Sequence, residues 1–222
     1  MILTSDQLND IFPTEFINLT AAQQKVSEQI YRLLASGQPV PLESIASKTD
    51  LSRADVQAIL RRWPGVFYDD LNQIVGYWGL ALAKTSHRFE VNGQALYTWC
   101  AWDTLFIPQI IQSTAQVGST CAVTGEMIRL TVAPDRIERR APKDISMSFI
   151  VPGVSGMREN LITNFCHYVH FFSSPEAGRK WSSDHEGTFI MSLDEAFNLG
   201  REKNKLQYLR TREVRVAERA PR

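Results

Sequence analysis

Cysteine is scarce in this 222-residue chain. There are three, Cys100, Cys121 and Cys166, and no two of them form a Cys-x-x-Cys pair. Thiols so widely spaced make a poor disulfide framework and lack the close-spaced pairs on which a structural zinc site is built. Histidine is nearly as scarce, at four, and none falls in the segment around Cys100. No imidazole is therefore at hand in that segment to activate a thiol. An excess of one charge is missing too: 24 basic and 24 acidic residues cancel. That balance argues against a dedicated nucleic-acid binder, which carries a basic excess. No apolar run approaches the roughly 20 residues of a membrane-spanning helix. The opening MILTSDQLND has no basic start followed by an apolar stretch, so a secretory signal is not expected. Cytoplasmic residence with reduced thiols is the expectation. Internal repeats and low-complexity segments are also lacking.

What is present is an ordinary globular composition, 44% hydrophobic and 22% charged. The first third reads as helices. Thr20 followed by Gln23 makes a capping box, Val26, Ile30, Leu33 and Leu34 form an apolar stripe, and Gly37 can close the helix. A short helix fits PLESIASKTD. Ser52 can cap the next, with Val56, Ile59, Leu60 and Trp63 on one face until Pro64 and Gly65 stop it. VFYDDLNQIVGYW then reads as a hairpin. Three helices followed by a hairpin predict a winged-helix-like module over residues 15–83, within a first unit of residues 1–83. It is open to two readings, a packing domain or a DNA reader. Arg53, Arg61 and Arg62 on the third helix are thin provision for phosphate contacts, with Asp55 beside them.

From residue 84 the texture changes, and residues 84–222 read as an α+β core with mixed or antiparallel strands. SHRFEV reads as a strand and Asn92-Gly93 as a turn. ALYTWCAWDTLF reads as a short helix ending before Pro108. MIRLTVAP and ISMSFIV alternate like half-buried strands, and NFCHYVHFF is strand-like by composition. Ser174 and Pro175 open a helix, and Ser192 with Glu195 opens the last one through a second capping box. The tail after about residue 211 is charged and expected to fray.

The chemistry concentrates in LYTWCAWDTLFIP, residues 96–108. On a helix Cys100 and Asp103, three apart, would share a face. A lone buried cysteine often behaves as a small hydrophobe, and Asp103 can serve simply by accepting backbone hydrogen bonds. Yet a carboxylate in so apolar a segment needs a partner. On a strand, Cys166 would share its face with Asn164, Tyr168 and His170. Cys121, near Gly118 and Gly125, reads as structural. Were Cys100 and Cys166 to converge on Asp103, two thiols beside an acid would suit a very soft metal and a proton transfer.

At these residues the chain resembles the alkylmercury lyase (organomercurial lyase) family. The resemblance is carried in order by NQIVGYWGLAL, LYTWCAWDTLFIP, STCAVTGEMIRLTVAP, NFCHYVHFF and SLDEAFNLGREKN, across residues 73 to about 204. It implies catalytic roles for Cys100, Asp103 and Cys166, a structural one for Cys121, and protonolysis of a carbon–mercury bond to hydrocarbon and Hg(II). It also implies that Hg(II) stays on Cys100, Cys166 and Asp103 as product until external thiols or a mercuric reductase take it. It implies no organic cofactor, and an N-terminal module that acts as a lid. His167 stands where some members have a second cysteine. Two alternatives remain open at this stage: a winged-helix regulator responsive to thiol-reactive metals, and a thiol oxidoreductase joining Cys100 to Cys166.

Overall fold

The structure, a computed structural model, describes residues 19–150 and 160–209. The readings of the first ten residues and of the tail beyond 211 lie outside these. Three helices come first: α1 (Ala21–Leu34), α2 (Leu42–Thr49) and α3 (Arg53–Leu60). Thr20 Oγ1 accepts from Gln23 N while Gln23 Oε1 accepts from Thr20 N, so the capping box at α1 is closed in both directions. Ser52 Oγ caps α3 through Asp55 N. Val26, Ile30 and Leu34 bury the inner face of α1, and Gly37 follows at φ +76.

The strands β1 (Val66–Tyr68) and β2 (Ile74–Tyr77) form the expected hairpin. They do not stand apart. They begin an eight-stranded sheet of order β1-β2-β3-β5-β4-β6-β7-β8 that runs on through β3 (Leu80–Ala81), β4 (His87–Val91), β5 (Gln94–Thr98), β6 (Ala115–Thr120), β7 (Met127–Val132) and β8 (Ile137–Ala141). A second sheet, β10-β9-β11, comprises β9 (Ser146–Ile150), β10 (Phe171–Phe172) and β11 (Thr188–Ser192). Every described strand pair is antiparallel. Helix and antiparallel sheet thus share one fold. The remaining helices are α4 (Asp103–Ile111), α5 (Leu161–Asn164), α6 (Pro175–Ser182) and α7 (Leu193–Asn204). No helix among the described residues is long and apolar enough to cross a membrane.

Three local readings are corrected. ALYTWCAWDTLF is not one helix. Asn92 and Gly93, both at positive φ, turn β4 back on itself, and residues 94–98 pair with it from His87↔Thr98 to Val91↔Gln94. Only at Asp103 does a helix begin, and it runs through Pro108 rather than ending before it. NFCHYVHFF is not one strand either. Its aromatic content comes from core packing, with the Phe165 ring 6.1 Å from Trp102 and 5.1 Å from Phe149. Its backbone turns through α5 and a 3-10 turn at Cys166–Tyr168 before reaching β10. In β9 the polar positions of the alternation are buried rather than solvated. Ser146 Oγ donates to Ser174 O and Ser148 Oγ to Tyr168 O, so these hydroxyls are satisfied inside.

Candidate functional site

Where β5 ends, the chain makes a tight turn and starts α4 after four intervening residues, 99–102. Cys100 lies in that turn. Thr98 Oγ1 donates to its carbonyl at 3.0 Å, and Ala101 N donates to Val169 O at 3.2 Å, fastening the turn to the segment that follows Cys166. Asp103 is the first residue of α4, and its Oδ2 accepts the Cys100 N–H at 2.8 Å. A carboxylate at a helix N-terminus is favoured by the helix dipole. Cys166 arrives from the far side on the 3-10 turn, whose Val169 N–H closes on Cys166 O at 3.2 Å.

The sequence singles out Cys100, Asp103 and Cys166, and the structure brings these three together. One ligand atom from each lies within 4.8 Å of the other two, and all three residues are buried. No other set of three or more His, Cys, Asp or Glu side chains among the described residues meets that spacing. Cys121 is elsewhere, in the turn after β6, where its Sγ accepts Thr124 N at 3.4 Å. Cys100 and Asp103 do not share a helical face; they meet because Asp103 caps back onto the turn. Trp102 is core, its indole N–H donating to Ala196 O at 2.9 Å and so locking α4 to α7. Trp99 is half-buried, with its ring 5.1 Å from Phe67 on the hairpin.

Burial dominates the protonation of the site. It lifts Asp103 from its ordinary value near 3.8 to about 6, while hydrogen bonds from Cys100 and Trp99 and the charge of Lys203 hold it from rising further. Burial also pushes Cys100 well up, reinforced by its hydrogen bond to Cys166 and by the Asp103 charge. For Cys166 the hydrogen bond from Cys100 works downward, but burial and the Asp103 charge leave the thiol raised. At neutral pH the resting site therefore holds two thiols and a largely ionised carboxylate poised to take a proton.

Lys203 went unmarked in the sequence. It is buried, with Nζ 3.8 Å from the centre of the Phe106 ring. Burial lowers its pKa to about 7, opposed by the charge of Asp103. Its signal was its phase: Ala196, Gly200 and Lys203 fall on the buried side of α7. Two sulfurs and one oxygen, with imidazole absent from the set, form a donor group for a soft cation rather than for tetrahedral zinc. An acid with a pKa near 6 beside them can both receive and return a proton.

Residues 80–204 match the family model of alkylmercury lyase. The chain is 38% identical over 197 residues to an alkylmercury lyase of Staphylococcus epidermidis, covering 89% of this chain and 88% of that one. It is 40% identical over 171 residues to an alkylmercury lyase of Pseudomonas putida, covering 77% and 79%. Among solved structures it is similar to the mercury-bound form of MerB2, with a TM-score of 0.71 and 25% identity over 85% of this chain and 93% of that one.

Proposed function

Because the chain belongs to the alkylmercury lyase family, enzymes that cleave carbon–mercury bonds, we propose that it breaks such bonds by protonolysis, with Cys100 and Cys166 as the sulfur ligands and Asp103 as the proton shuttle. The observation that carries this reading is the buried convergence of the two thiols and the carboxylate within 4.8 Å.

The substrate is read as a thiol adduct, R–Hg–SR′. One cysteine sulfur bonds to mercury, and its proton leaves with the departing R′S– group as R′SH. The second thiol gives its proton to the Asp103 carboxylate and binds mercury as thiolate. Two thiolates load electron density onto the metal and weaken its bond to carbon. Protonated Asp103 then delivers its proton to that carbon as the carbon–mercury bond breaks. R–H departs, and Hg(II) remains on the two sulfurs with the carboxylate regenerated beside it. Two external thiols then return the protons and carry Hg(II) away, and hand-off to a mercuric reductase is the alternative exit. An ordinary aspartate would be a poor acid for this step, and burial that lifts it to about 6 supplies the needed match to neutral pH. On this reading no organic cofactor takes part.

The three N-terminal helices with β1 and β2 are read as a winged-helix-like module that serves as a lid rather than as a DNA reader. Supporting that choice, the Arg53 guanidinium is already 2.9 Å from Glu43.

The test is incubation with methylmercury or an arylmercurial in excess thiol, followed by detection of alkane or arene. Cys166→Ser is expected to abolish release, and full turnover by that variant would sink the two-sulfur mechanism. Asp103→Ala is expected to bind Hg(II) through both sulfurs yet release no hydrocarbon.

A further inference from the structure

The Asp103 carboxylate is walled by the one residue of a turn that carries no side chain. Gly79, between β2 and β3, adopts φ +101. A Cβ placed on it would lie 2.4 Å from Asp103 Cγ, 2.5 Å from Oδ1 and 2.9 Å from Oδ2. Those atoms are not the free end of a flexible chain. They belong to a short side chain anchored on α4 and held by the Cys100 N–H at 2.8 Å. An added methyl would have to push the carboxylate aside by about an ångström to reach an ordinary contact.

The turn is itself fastened on several sides. Trp78 N donates to Gly65 O and Trp99 N donates to Gly79 O, each at 2.9 Å. The Tyr31 hydroxyl, on α1, donates to Trp78 O at 2.7 Å. Trp78 takes φ +33, a conformation non-glycine residues rarely adopt. Its ring seats directly over Gly65, where a Cβ would come 2.0 Å from Cδ1, and stacks on Tyr77 with centres 5.8 Å apart. Strain of this kind persists where the surroundings over-determine it, and it concentrates at functional sites.

From these contacts we infer that Gly79 is a positioning residue for Asp103, its bare backbone setting where the carboxylate rests beside the two sulfurs, and that Tyr31 ties this wall to the N-terminal helices. The inference rests on the proton-shuttle reading of Asp103. A proton donor misplaced by about an ångström loses on the order of 100-fold in rate, and that is the effect expected of a methyl at Gly79.

The experiment compares the full chain with Gly79→Ala, Tyr31→Phe and, as a control, Gly93→Ala. Gly93 has φ +77 and nothing within 4 Å of its missing Cβ, so its alanine variant carries the backbone strain without a contact. In Gly79→Ala, kcat for hydrocarbon release is expected to fall about 100-fold, with KM little changed and one Hg(II) still bound per chain. Gly93→Ala is expected to lower the melting temperature and leave kcat alone. Tyr31→Phe keeps the ring and removes only the tie, and is expected to lower kcat several-fold with Hg(II) binding intact; it decides the matter should Gly79→Ala fail to fold. The Asp103 carboxyl carbon-13 resonance is expected to move in Gly79→Ala and stay put in Gly93→Ala. Wild-type kcat in folded Gly79→Ala, or parallel loss of Hg(II) binding and turnover, would overturn the inference. So would wild-type kcat in Tyr31→Phe if that variant alone is folded. If the wild-type chain releases no hydrocarbon while the carboxyl resonance still moves only in Gly79→Ala, the proton-shuttle reading fails and the positioning contact stands.

Discussion

Asp103 is held at a thermodynamic disadvantage. A rise from near 3.8 to about 6 means that keeping it ionised at pH 7 costs about 3 kcal/mol. The sign follows from linkage: the folded state binds this proton more tightly than the unfolded state does. The penalty is therefore fully present above pH 6 and is relieved as pH falls from about 6 towards 4. Relative to Asp103→Asn, the wild-type chain is expected to gain stability over that window, measured by urea unfolding at a series of pH values. Asp103→Asn is expected to be at least as stable as wild type at pH 7 while releasing no hydrocarbon. A flat difference across the window would remove the case for a raised carboxyl. The residue types of the site were legible before the structure, because a cysteine and an aspartate three apart among tryptophans are conspicuous. The reason they meet was misread: Asp103 reaches back from a helix N-terminus and does not line up with Cys100 on a helical face. Cys166 could not be paired with them from local spacing, since the 3-10 turn that delivers it has strand-like composition. Resemblance across several distant segments supplied that pairing. Lys203 was missed because its burial depends on packing over Phe106.

Among the elements, legibility tracked the hydrogen bonds that sequence spacing encodes. Capping boxes are local and self-contained, so both were readable, at Thr20–Gln23 and Ser192–Glu195. Strand alternation was readable where one face meets solvent, as over the first residues of β7, and misled in β9, where serines satisfy themselves inside. The site depends on α7 through Trp102 and through Asn204 Nδ2, which donates to Phe106 O at 2.9 Å. The cap of α7 supplies no side chain to the cluster of Cys100, Asp103 and Cys166. Ser192→Ala is accordingly expected to cost about 1 kcal/mol by chemical denaturation and to leave hydrocarbon release unchanged. A loss of turnover without a loss of stability would show that this end of α7 does more than hold the helix.

Across the whole molecule, the division into residues 1–83 and 84–222 cuts a continuous sheet. β3 pairs with β5 through Leu80↔Thr98 and Ala81↔Tyr97. A hydroxyl cluster also spans the chain: Ser27 on α1 lies 2.7 Å from Tyr208 and accepts from Tyr77 at 2.8 Å. One cooperative unfolding transition is therefore expected, with circular dichroism and tryptophan fluorescence coinciding. Two separated transitions would mean the halves fold independently. The protonated state of the buried sulfurs has a further consequence, for endurance. Oxidants attack thiolates, and both site thiols are held as S–H when idle. A chain waiting in aerated buffer is therefore expected to keep its sulfur pair from corroding into a disulfide, and on the proposed mechanism an arriving mercurial would, by bonding to sulfur, itself draw out the ionised form.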